Sequence, residues 1–285
     1  MVDNTAKNYD IILFGVTGFT GKLTAEYLLQ TKKYDIRWAA CARNEHKAKA
    51  VLQEIDAAAS SAIPVLVADL VCDTPEKVET LRQVVRQTKL VLTCAGPFEK
   101  YGTTLVQLCA ELGVSYADIT GETDFVRRMI AEHDATARQT GAMIICHCGN
   151  DCIPQDLTVY EMHQYVQQKY NNNNESNSNN ATLQQVSTYV ELPDSAAMSG
   201  GTAATAAYQL GKKRNHSSSS TSFDPLLQNA IGTKSNCVTK NISPKTNQYN
   251  KEFKCNVGPW IMAPVMVNCV RRSKYVSLID VSLIF

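Results

Sequence analysis

Residues 15–21 read GVTGFTG, three glycines set three apart. The spacing suits a turn that brings bare backbone against a phosphate. Gly15 permits the tight turn, Gly18 lets the backbone approach a pyrophosphate, and Gly21 lets a following helix lie close to the sheet. Thr17, Phe19 and Thr20 complete the turn and enter that helix, whose first N–H groups and positive dipole end face the phosphates. Further on, RWAACARN (37–44) ends in Arg43 and Asn44, with no acid before Glu45. An Asp or Glu at that point would bond both hydroxyls of an unphosphorylated ribose, whereas a guanidinium fork matches a 2′-phosphate. The expected cofactor is therefore NADP(H), with NAD(H) the less favoured alternative.

Two more stretches belong to the same expected site. TCAGPF (93–98) puts Ala95, Gly96 and Pro97 in a tight, backbone-exposing loop, expected along the nicotinamide side. Asp69 closes a short apolar run and is read either as an adenine contact or as a helix cap. Hydride transfer draws its chemistry from the cofactor, so the protein must supply position and at most a proton donor. The candidates for that donor are Asp118, Glu122, His147 and Asp151. Each has a plain structural alternative: a cap, an ion pair or a hydrogen-bonded strand end. Cys146, Cys148 and Cys152, with His147 among them, do not reproduce the paired spacing of a zinc site, and no metal is expected.

These residues need elements to position them. The runs Tyr9–Phe14, Ile36–Ala42, Pro64–Val67, Leu90–Cys94, Tyr116–Ile119 and Ala142–Cys146 are short and continuously apolar, as parallel strands covered on both faces are. Helical stretches lie between them. Thr20–Gln30 places Leu23, Tyr27 and Leu28 on one face. Thr74–Val85 opens with Thr-Pro-Glu, a capping hydroxyl followed by a proline at the first helical position. Tyr101–Leu112 stops at Gly113, a residue suited to a helix C-cap. The alternation predicts a doubly wound parallel Rossmann sheet over residues 1–152.

After Pro154 the texture changes. An amphipathic stretch at Leu157–Val166 runs into NNNNESNSNN, and a second polar tract follows Lys212. Neither tract holds enough apolar surface to order itself, so flexible insertions are expected near 170–182 and 212–250. Val186–Leu192 reads as a strand, Gly200–Leu210 as a helix, and Trp260–Phe285 as strand-like, leaving an apolar edge at the tail. Residues 153–285 are thus expected to form a second, incomplete α+β domain.

Composition bounds the functional classes. Of the 285 residues, 44% are hydrophobic and 19% charged, with a formal net charge of +1. Nothing in that balance forms a nucleic-acid footprint or an electrostatic membrane patch. The opening MVDNTAKNYD has neither an apolar signal core nor an amphipathic leader, and no stretch is long and apolar enough to span a bilayer. Ten scattered cysteines then read as reduced thiols in a cytosolic-type compartment.

GVTGFTG, CAGPFEKYG (94–102), YADITGE (116–122) and GNDCIPQDL (149–157) together resemble the saccharopine dehydrogenase-like oxidoreductases, a family that includes the trans-acting enoyl reductases. SGGTAATA (199–206) and PWIMAPVMVNCVRRS (259–273) extend the resemblance to about residue 275. It implies a Rossmann domain, an α+β substrate domain, and NAD(P)-linked reduction of a carbonyl, imine or enoyl group, with a small, lipid-derived substrate. Some eukaryotic members associate with lipid droplets or organelles such as mitochondria, which for this chain implies peripheral association at most. Two departures stand out. GNDCIP replaces the usual Gly-Phe-Asp-Ser-x-Pro, and family members continue past the RRS segment, so the substrate domain is expected to be truncated.

Two alternatives are carried. An extended short-chain dehydrogenase shares the glycine pattern and needs Tyr and Lys four apart, as at Tyr165/Lys169 and Tyr208/Lys212. Among twelve tyrosines such a pair arises readily by chance. The other is a non-catalytic NADP-binding protein, favoured by the altered GNDCIP segment.

Overall fold

The computed structural model describes residues 7–31, 35–58, 60–171, 183, 186–191, 200–211, 246–260 and 262–277. Strands and helices alternate from the start: β1 (Tyr9–Phe14), α1 (Phe19–Gln30), β2 (Trp38–Ala42), α2 (Glu45–Ile55), β3 (Val65–Val67), α3 (Pro75–Val85) and β4 (Thr88–Thr93). They continue with α4 (Phe98–Tyr101), α5 (Thr103–Leu112), β5 (Ser115–Asp118), α6 (Thr123–Thr140) and β6 (Ile144–Ile145). The six strands pair in parallel, in the order β3-β2-β1-β4-β5-β6. This order makes the doubly wound Rossmann sheet expected from the alternation. Strand addition reverses between β1 and β4, which leaves a crevice at their carboxyl ends.

Local chemistry explains where the elements stop and start. The Thr74 hydroxyl accepts the Lys77 N–H at 3.4 Å, and Pro75 fills the first helical position of α3. Asn44 does the same for α2, accepting the Lys47 N–H at 2.9 Å. Gly113 ends α5 at φ 65°, a left-handed conformation that a side chain would resist. On one side of the sheet Leu13, Val16, Ala25, Trp38, Ala40, Ala48 and Leu52 form a buried cluster between β1, β2 and the helices α1 and α2. Cutting Leu52 back to Ala would cost roughly 2–5 kcal/mol there.

The chain divides into two compact units, residues 1–148 with 197–217, and residues 149–196 with 218–285. The first holds the sheet and α8 (Gly200–Gly211). The second contains α7 (Ile153–Val166), an antiparallel hairpin of β7 (Gln248–Asn250) and β8 (Cys255–Val257), and α9 (Ala263–Ser277). Val159, Val186 and Val270 are buried together in it, with Leu183 packed against them. The Ser273 hydroxyl donates to Asp156 at 2.8 Å, and burial raises the pKa of that carboxyl. Among the described residues, no helix is long and apolar enough to cross a membrane.

Several expectations are corrected. Leu23 and Tyr27 of α1 face outward with Phe19, while Gly21 and Ala25 are buried. Leu28 does pack against the core cluster, together with Leu29, but beside the turn the helix lies so close that only a glycine fits, at Gly21. Residues 186–191 adopt no strand, and Ala263–Ser277 is a helix where a strand-like run was expected. Ala263, Met266, Val267 and Val270 recur at helical spacing and are buried, so the 3.6-residue period prevails over β-branched content. Residues 278–285 lie outside the described residues, as do 172–182 and 212–245 within the two polar tracts. At the end of the second tract, Gln248–Asn250 is strand.

Candidate functional site

A cleft of about 710 Å³ opens at the carboxyl edge of the sheet, where β1, β2, β3 and β4 end. Of the residues expected to bind cofactor, Gly15, Thr17, Gly18, Phe19, Thr20, Arg43, Asp69, Ala95, Gly96 and Pro97 line it. Gly21 does not. A Cβ on Gly21 would stand 1.9 Å from the Gly15 carbonyl oxygen, so this glycine seals α1 against the turn from behind. Gly15 holds φ +90°, and its Cβ would crowd the backbone of Cys94 and Ala95 at 3.0 Å. Gly18 differs from both. Its φ is −90°, and the nearest atom to an added Cβ is 3.4 Å away. The protein itself leaves room for a side chain there, so the bare backbone at Gly18 serves whatever enters the cleft. Gly18 also precedes α1 without any side-chain cap, which leaves the first-turn N–H groups open. Turn, space and open donors fit a pyrophosphate.

At the end of β2, Arg43 is exposed and lines the cleft, joined by Asn44 and Lys47. Lys47 was missed in the sequence, although it stands one helical turn beyond Arg43. The Asn44 cap fixes that first turn of α2, so two cations line the cleft. Asp69 takes the Val71 N–H at 3.0 Å and closes a local turn. It does not cap the next helix, whose cap is Thr74. Leu70, Val71 and Tyr101 line the cleft, as do Gly200 and Ala204 from α8 in the same unit.

The candidate proton donors occupy different surroundings. Asp118, Glu122 and His147 are all nearly inaccessible, at 0%, 3% and 3% exposure. Asp118 ends β5 beside Thr93 of β4. Its carboxylate accepts the Tyr116 hydroxyl at 2.8 Å, the Thr120 N–H at 3.0 Å and the His147 N–H at 3.2 Å. Burial raises its pKa from 3.8 to about 6, against the pull of those donors. The same burial pushes the neighbouring Tyr116 and Cys146 well up. His147 sits at φ 63°, with its Nδ1 2.6 Å from the Thr120 carbonyl oxygen. Its Nε2 is buried with no hydrogen-bond partner among the described residues, and burial lowers the ring's pKa. Glu122 precedes α6, and its two carboxylate oxygens take the N–H groups of Phe98 and Glu99 at 2.8 and 3.0 Å. Asp151 lies exposed in the second unit.

Two other readings have a place in the structure. Lys169 donates to the Tyr165 hydroxyl at 2.7 Å, on an exposed part of the second unit. Lys212 lies outside the described residues. Cys148 donates to the Ile145 carbonyl at 3.4 Å, and among the described residues no three His, Cys, Asp or Glu side chains are placed to hold a metal.

Sheet order, glycine turn and cleft together define a dinucleotide-binding Rossmann domain. Residues 11–145 match the family model of the saccharopine dehydrogenase NADP binding domain, so the resemblance drawn from the motifs holds over this domain. A Mycobacterium tuberculosis protein is 40% identical over 159 residues, which are 56% of this chain and 36% of its own length. The trans-acting enoyl reductase of Mycobacterium leprae is 39% identical over 160 residues, covering 56% of this chain and 37% of that protein. The chain thus spans little more than a third of the curated relatives it matches. Among solved structures, a short-chain dehydrogenase from Sphingobium yanoikuyae in complex with NADPH aligns at 15% identity and a TM-score of 0.37. That alignment covers 48% of this chain and 70% of the other. The fold assignment rests on strand order and not on this likeness.

Proposed function

We propose that this chain is an NADP(H)-dependent oxidoreductase that reduces a carbonyl, imine or enoyl group, with an enoyl acceptor preferred. The observation that carries the reading is that one cleft is lined by an uncapped glycine turn and by Arg43 and Lys47. The turn would hold the pyrophosphate, and the two cations the 2′-phosphate. When bound, the nicotinamide supplies the hydride. Ala95, Gly96 and Pro97 would bound the nicotinamide half of the cleft. Asp118 and Glu122 already spend their oxygens on hydroxyl and backbone donors, so their contribution is to fix the edge of the sheet. Of the four candidate proton donors, His147 keeps an unused ring nitrogen, which in the neutral ring is an acceptor and would have to take up a proton before giving one. The enoyl preference follows the names of the relatives, and a lipid-derived substrate follows from such an acceptor.

The test is a titration of the chain with NADPH and NADH, followed by nicotinamide fluorescence, with Arg43→Ala and Lys47→Ala variants alongside. Each variant should weaken NADPH binding by about tenfold, the worth of one charge-assisted contact, and leave NADH little changed. A folded wild-type protein that binds neither nucleotide would overturn the oxidoreductase reading and favour a non-catalytic relative.

A further inference from the structure

We infer that Glu122 is a positioning residue for the nicotinamide half of the cofactor, acting through the loop that carries Ala95, Gly96 and Pro97. The inference rests on the cofactor reading above and assigns Glu122 no part in proton transfer.

The loop leaves β4 and crosses the cleft wall. Its first residue is fixed where the Ala95 N–H donates to the Thr93 hydroxyl at 3.2 Å. Its far end would otherwise be loose. Pro97 has no N–H, and the next two N–H groups, at Phe98 and Glu99, open the short helix α4 without intrahelical partners. Glu122 takes both, one on each carboxylate oxygen. The clamp is itself clamped, because the Glu122 N–H donates to the Thr120 hydroxyl at 3.0 Å. Below the loop, the Phe98 and Phe125 rings meet at 6.3 Å. An added Cβ on Gly96 would come within 3.2 Å of the Phe98 ring. The loop is therefore set from both ends and from beneath, and Glu122 is the part contributed from a different strand connection.

At 3% exposure and with no ion pair among the described residues, Glu122 is a buried acid where a neutral side chain of the same size would also fit. The reason is its two acceptors. A glutamine of the same shape keeps one acceptor oxygen and turns an NH2 group toward the second N–H, donor against donor. The loop end must then move, and with it the wall at Ala95–Pro97.

The experiment compares wild type, Glu122→Gln and Glu122→Asp. It measures affinity for NADPH, affinity for adenosine 2′,5′-bisphosphate, which carries the adenine half alone, and the fluorescence enhancement of bound NADPH. Circular dichroism checks that each variant is folded. Glu122→Gln should bind NADPH about tenfold more weakly, the loss of one charged hydrogen bond, with reduced nicotinamide enhancement and unchanged bisphosphate affinity. Glu122→Asp keeps both acceptors on a shorter stem and should fall between the two; if Glu122→Gln does not fold, the same comparison is read on Glu122→Asp. Equal weakening of both ligands, or wild-type enhancement in the variants, would overturn the positioning role and leave the cofactor reading standing. If wild type binds the bisphosphate and NADPH not at all, the cofactor reading falls, and this inference falls with it.

Discussion

The imidazole of His147 reaches back across the sheet edge to the carbonyl oxygen of Thr120, 2.6 Å from Nδ1. A carbonyl can only accept, so Nδ1 carries the proton and Nε2 presents a lone pair to a buried space. Burial lowers the pKa of the ring, which keeps it neutral near pH 7. In ¹⁵N-edited spectra of the imidazole nitrogens, Nε2 should resonate as an unprotonated nitrogen at pH 7. A protonated Nε2 at pH 7 would mean that the ring is held by something other than Thr120.

Asp118 has the opposite sign. Its folded-state pKa is about 6 against 3.8 for the free group. Its stabilising contribution is therefore complete below pH 3.8 and is lost as pH rises through about 6. A shift of that size corresponds to about 3 kcal/mol. Asp118→Asn cannot ionise and lacks this component. The stability difference between variant and wild type, from urea midpoints, should move in the variant's favour between pH 4 and pH 6. His147, with a lowered pKa, contributes the reverse slope in both proteins and cancels in the difference. A flat difference would show that Asp118 is ionised at ordinary carboxylate values.

Gly18 and Gly21 should separate folding from binding. Gly21→Ala drives a methyl into the Gly15 carbonyl and should cost about 3 kcal/mol of stability. Gly18→Ala meets nothing closer than 3.4 Å and should cost about 1 kcal/mol or less. Its NADPH affinity should nevertheless fall about tenfold or more, since the methyl points at the space a pyrophosphate would need. If Gly18→Ala binds NADPH like wild type, the phosphates do not lie on this turn.

Tyr165 and Lys169 touch, yet the contact is what neighbours four apart on an exposed helical segment make in any case. Tyr165→Phe should leave NADPH binding and turnover unchanged within about twofold. A loss of two orders of magnitude in turnover with binding intact would instead favour the chemistry of short-chain dehydrogenases.

Much of this architecture is legible in the residues. Tyr9–Phe14 and the Gly-spaced turn specify strand, turn and helix through local rules, and the structure follows them. Thr74-Pro75 and Gly113 mark their helix ends for the same reason. What the residues hide is relational. Lys47 joins the cleft because Asn44 starts a helix beside Arg43, and Gly200 and Ala204 join it from far along the chain with no local sign. Glu122 is visible as an acid but not as a clamp, because its partners are backbone N–H groups of a loop formed elsewhere. The inner face of α1 is hidden for the same reason: Leu28 and Leu29 pack inward as apolar content suggests, while Gly21 and Ala25 take the places of Leu23 and Tyr27.

The first unit is discontinuous: residues 197–217 rejoin residues 1–148 after the chain has begun the second unit. On the ribosome, the sheet and the glycine turn emerge well before Gly200 and Ala204, the last residues of the cleft wall. A nascent chain stalled before α8 would hold every strand of the sheet and still lack part of the cleft lining.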